Sequence, residues 1–173
     1  MNDNYKIGKI LHSESNRLDK TWILIPLIFS NLIMITVGLF AVIKAKEMEW
    51  TEFLILVSII NLPLLALLIF TKLIVFIGTE GISFQLQPFQ IKLKTITWDQ
   101  VIEAKVTKYN PMGDYGGWGL KREKKGLAYT ITGNYGIYLE MKMGKNIMVG
   151  IKNHLAVNEI ISRIFIQNQK SQQ

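Results

Sequence analysis

The side chains able to do chemistry are few and scattered. His12 and His154 are the only histidines, and there is no cysteine. Within one chain this excludes a three-histidine metal site, thiolate zinc, a cysteine nucleophile and an iron–sulfur cluster. Asp99, Glu103, Asp114 and Glu140 are spread among the strands and turns of the second half, and their spacing defines no acid–base pair. No serine is flanked as in a nucleophile elbow. Gly113, Gly116, Gly117 and Gly119 form a glycine-rich run. Its spacing matches neither a dinucleotide-binding turn nor a P-loop, and it follows no strand–helix unit that would hold a phosphate. No catalytic residue, metal or cofactor is expected, and an unrecognised enzyme stays only as an alternative.

One segment has the composition of a binding surface. In YNPMGDYGGWGLKREKK (109–125), Tyr109, Pro111, Tyr115 and Trp118 precede Lys121, Arg122, Lys124 and Lys125. Long loops are uncommon unless functional or disordered. The glycines allow tight turns, and the aromatics supply anchors. The segment reads as an ordered loop folded over a sheet, or as a surface for a peptide or another membrane protein. The basic cluster 121–125 also suits an anionic inner leaflet, at up to about 1 kcal/mol per basic residue near the surface. From residue 78 onward there are 13 Lys/Arg against 7 Asp/Glu. No nucleic-acid partner is expected, because neither a recognition helix nor an RNA-binding strand motif accompanies the charge.

The elements that must carry these residues divide the chain in two. It has 173 residues, 49% hydrophobic and 19% charged, a net charge of +7 and a mean hydropathy of +0.23. That composition excludes intrinsic disorder. Residues 21–43 and 53–71 contain no charged side chain. At about 1.5 Å per residue each matches the roughly 30 Å core of a bilayer. The connection KAKEMEWTE (44–52) is short, so the two runs are expected to form a transmembrane hairpin held by an interhelical bond between Asn31 and Asn61, with Pro26 and Pro63 as kink points. Lys6, Lys9, Arg17 and Lys20 precede the first run, and fourteen Lys/Arg follow the second, beginning with Lys72. The positive-inside rule then places both termini in the cytoplasm, with Trp22 and Trp50 at the two interfaces.

Beyond residue 71 the apolar period becomes two. Strands are expected at about 72–77, 82–87, 91–98, 101–109, 127–132, 137–143 and 147–151, seven in all. A bulge is expected near Lys94–Thr95, where the apolar phase flips. A helix then starts after Asn153, with Val157, Ile160, Ile161, Ile164 and Phe165 along one stripe.

Seven strands and a closing helix, preceded by two membrane helices, resemble the bacterial PH-domain (pleckstrin homology-like) membrane proteins. The likeness covers roughly residues 20–170. It is carried by GTEGISFQL (78–86), ITWDQV (96–101), YNPMGDYGGWGL (109–120) and GNYGIYLEMKMGKNIMVGI (133–151). It implies a tail (1–20), a membrane hairpin (21–71) and a cytoplasmic PH-like domain (72–173) serving as an interaction or scaffold module in the inner membrane. Lipid sensing through residues 121–125 is the alternative. In phosphoinositide-binding PH domains the basic residues sit in the first hairpin loop. Here that loop is GTEG (78–81), with one Glu and no basic residue.

Overall fold

A computed structural model describes residues 7–18, 20–45, 49–123 and 126–170. Lys124, Lys125 and the middle of the 44–52 connection lie outside the described residues, as do the side chains of Trp22 and Pro26. The chain divides into two compact units. One combines residues 1–18 with 72–173, and the other is Asp19–Thr71.

The first unit holds two sheets. One is ordered β1 (Ile10–Arg17), β2 (Lys72–Gly78), β3 (Gly81–Gln87), β4 (Lys94–Thr97), each strand antiparallel to the next. The other contains β5 (Val101–Lys108), β6 (Gly119–Glu123), β7 (Gly126–Thr130), β8 (Tyr135–Met141) and β9 (Ile147–Gly150), in the order β5-β8-β9-β7-β6. All its pairs are antiparallel except β7 with β9, which run parallel.

Leu73, Val75, Phe84 and Leu86 from the first sheet share a core with Ile137, Leu139 and Val149 from the second. Val157, Ile161 and Ile164 of the closing helix (His154–Lys170) join it. Trp98, on a 3-10 turn between the sheets, packs edge-on against Phe165 at 5.7 Å and donates its indole N–H to the Gly78 carbonyl at 3.1 Å.

The second unit contains α1 (Lys20–Leu39), which runs into a π-helical turn at Phe40–Ala45, and α2 (Trp50–Phe70). Asn31 Nδ2 donates to Asn61 Oδ1 at 2.7 Å, while also bonding the Leu27 carbonyl. Gly38 admits the Phe53 ring into space that a Cβ would occupy.

These findings correct the expected fold class. Two transmembrane helices followed by a seven-stranded PH-like domain is not the architecture observed. Among the described residues one stretch, Trp50–Leu67, is long and apolar enough to cross a membrane. The apolar helix before it, Leu27–Ile43, is shorter. The described strands number nine, and the parallel β7–β9 pair departs from a simple succession of hairpins.

Residues 10–17, read as part of a tail, form the edge strand β1. The expected strand from residue 91 begins at Lys94, because Ile91 stands in solvent within the preceding turn. No bulge is needed there. The register shift falls instead at Val101–Glu103 and turns Ile102 outward.

Candidate interaction surface

Residues 109–123 form an ordered device rather than a loop. Asn110 caps a one-turn helix, α3 (Pro111–Tyr115): its Oδ1 accepts from the N–H groups of Met112 (3.2 Å) and Gly113 (3.1 Å). Asp114 Oδ2 returns the arrangement by accepting the Asn110 N–H at 2.9 Å. Pro111 has no N–H to leave unpaired at this first helical position. Gly116 takes the left-handed conformation at φ 66°, where its N–H and that of Gly117 satisfy the last carbonyls. The sequence NPMGDYGG thus specifies both ends of the turn.

Beneath α3 the aromatics close the outer face of the second sheet. Tyr109 and Tyr115 are buried with Ala128 and Met148, their rings edge-to-face at 6.0 Å. Pro111 is buried as well. This explains why both faces of β7 are covered: Tyr129 points into the main core and Ala128 into this second cluster.

Burial pushes the Tyr109 phenol up to about 12, with the Thr130 hydroxyl offsetting part of the rise and Tyr115 adding to it. Burial, then the charge of Asp114 and the proximity of Tyr138, raise Tyr115. Tyr109 Oη and Thr130 Oγ1 are buried together, and neither makes a well-formed hydrogen bond to a further protein group.

Trp118 is partly buried and donates its indole N–H to the Gly133 carbonyl at 3.0 Å. Lys121 and Arg122 belong to β6, an edge strand, with Lys121 partly buried and Arg122 exposed. The eight residues singled out in the sequence therefore separate. Tyr109, Pro111 and Tyr115 form a buried frame. Trp118, Lys121 and Arg122 remain at the surface, and Lys124 and Lys125 lie outside the described residues.

Two surface residues escaped the sequence reading. Met112 on α3 is 60% exposed and Leu120 on β6 is 45% exposed. Their two elements pack together, so the frame presents apolar side chains next to Arg122. Knowing that β6 is a strand would have revealed Leu120 and Arg122 on one face, two residues apart.

The scattered carboxylates do not assemble. Asp99 lies on the 3-10 turn and Asp114 on α3, while Glu103 stands opposite Glu140 across β5 and β8. Glu103 also bonds Lys105 at 3.2 Å. His154 stacks on Tyr135 at 4.0 Å, and His12 lies 3.4 Å from Glu14. Among the described residues no three His, Cys, Asp or Glu side chains are placed to hold a metal ion. No family model, curated protein or solved structure matches this chain.

Proposed function

We propose that this chain is a membrane-attached binding module. An apolar helix fixes it to a bilayer, and the two-sheet unit offers a surface to a peptide or another membrane protein. The observation that carries the attachment is Trp50–Leu67, 18 residues with a mean hydropathy of 1.9, of which only 6% is buried. A helix of a soluble core hides its apolar side chains. So much exposed apolar surface instead marks contact with lipid or protein.

The sheet unit is assigned to the cytoplasmic face of the cell membrane. β1 precedes the helical unit and β2 follows it in one sheet, so both flanks of that unit lie on the same side. Lys9 and Arg17 belong to the first flank and fourteen Lys and Arg follow residue 71, against Lys44 and Lys46 between the helices. The contact surface is Met112, Leu120 and Arg122, supported by the buried Tyr109–Tyr115 frame. Photo-crosslinking amino acids at 112, 120 and 122 of the full chain, with Asp99 as control, test the binding role in native membranes. Adducts confined to the first three positions support it. Equal yields at all four, or none, remove it.

A further inference from the structure

The turn between β3 and β4 holds two apolar side chains in solvent. Phe89 is 55% exposed and Ile91 93%. Gln85 Nε2 donates to the carbonyls of Gln90 (3.0 Å) and Ile91 (2.9 Å). Gln90 bonds Leu86 twice, its Oε1 accepting the Leu86 N–H and its own N–H donating to the Leu86 carbonyl, both at 2.8 Å. These bonds fix the tip, so its exposed apolar residues are built in rather than left by slack chain.

The charge beside the tip has one sign. Lys92 is exposed within the turn, Lys72 pairs in register with Gln87, and Arg17 pairs with Lys72. Lys94 is turned aside, bonded to Tyr129 Oη at 3.3 Å. No acidic residue occurs in 85–94, 15–18 or 71–73. The two that adjoin these windows are Glu14, whose carboxylate is taken up by the N–H groups of Lys152 and Asn153, and Asp19, which is followed by Lys20. The opposite end of the same sheet carries Glu80 and Asp99 with Lys9.

Connectivity identifies which end of the sheet this is. β1 ends at Arg17, shortly before α1, and β2 begins at Lys72, one residue after Thr71 at the end of α2. The tip therefore shares its end of the sheet with both chain connections to the apolar helices.

We infer that the Phe89–Ile91 turn is a membrane-contact tip: its two apolar side chains enter the interfacial layer of an anionic bilayer while Lys92, Lys72 and Arg17 meet lipid headgroups. The inference rests on the membrane attachment proposed above. Two side chains are too few to hold a soluble protein on a membrane, but a tethered tip acts at high effective concentration. Each basic residue close to an anionic surface adds about fivefold to the association. The cationic rim selects an anionic bilayer over an apolar protein groove as the occupant.

The chain has no cysteine, so Ile91→Cys and Glu80→Cys each carry one nitroxide label in the full chain. Reconstitution into phosphatidylcholine–phosphatidylglycerol vesicles allows collision with oxygen, which prefers lipid, to be compared with collision with a nickel chelate, which stays in water. The oxygen-to-nickel ratio at 91 should exceed that at 80 several-fold. It should fall when phosphatidylglycerol is omitted or when Lys72→Gln and Lys92→Gln are added. Equal ratios at 91 and 80 overturn the inference, and a ratio at 91 indifferent to lipid charge overturns its headgroup half. Alkaline carbonate washing of the same vesicles separates the two levels. A chain retained with residue 91 in water loses only the tip, whereas a chain released loses the attachment and the tip with it.

Discussion

The Glu14 carboxylate accepts the backbone N–H of Lys152 at 3.1 Å and that of Asn153 at 3.3 Å, joining the first strand to the segment that starts the last helix. Asn16 Nδ2 donates to the same carboxylate at 2.8 Å. A carboxylate fits here because it only accepts, and it meets donors at a helix N-terminus. Glu14→Gln converts one oxygen to a donor. It should lower unfolding free energy by about 1.5–3 kcal/mol. Denaturant unfolding of the full chain measures this, and amide exchange should quicken at residues 152 and 153.

Tyr109 gives a pH-dependent prediction. Burial raises its folded pKa to about 12, above the ordinary phenol value of 10.0. The unfolded chain then releases the phenolic proton first, so this contribution is fully present below about pH 10 and is lost as pH rises through 12. Tyr109→Phe should flatten that alkaline loss. At neutral pH it should change stability by no more than about 1 kcal/mol, since the hydroxyl it removes is buried with only the weakly placed Thr130 hydroxyl beside it. Unfolding curves of both proteins across the alkaline range check both statements.

Gly126 fixes the entry to β7. Its φ is +131°, and a Cβ there would run into the Asn146 carbonyl, which accepts the Leu127 N–H at 2.8 Å. Gly126→Ala should therefore cost about 2–4 kcal/mol, combining backbone strain with a clash that moves β7 off β9. Exchange protection at Leu127–Tyr129 should fall with it. Gly133→Ala is the control for strain alone, because its φ is +74° but its Cβ would meet nothing within 4 Å.

The amide pair of the helical unit should be energetically coupled. Asn31→Ala and Asn61→Ala each remove the 2.7 Å bond. A double-mutant cycle in detergent or lipid should return about 0.6–2 kcal/mol. Coupling near zero would mean that the two amides are satisfied by their own helices, through the carbonyls of Leu27 and Val57.

Sequence periodicity showed what local chemistry dictates and missed what distant partners decide. The strands at 81–87 and 135–141 alternate visibly because one face of each packs on the shared core, and 72–78 was legible instead as a β-branched apolar run bounded by turn residues. β1 does not alternate apolar with polar: the side chains more buried along it are His12, Glu14 and Asn16, a hydrogen-bonded polar row. The β6 sequence GLKRE has no buried face to advertise. The parallel β7–β9 contact, between residues about twenty apart, leaves no trace in either strand alone. In the candidate surface the aromatics were legible as anchors. Which residues they would leave exposed was not, because that depends on the register of β6 with β7.

Membrane attachment through α2 is the central claim, and extraction tests it most directly. Vesicles or native membranes carrying the full chain are washed with alkaline carbonate, beside a variant with Ile55→Lys, Ile59→Lys and Leu62→Lys. All three side chains are more than half exposed, so the changes remove little internal packing. The wild-type chain should stay with the membrane and the variant should be released, each lysine being unfavourable in hydrocarbon by about 2.5–3.5 kcal/mol. Release of the wild-type chain, or equal retention of both, would contradict the account.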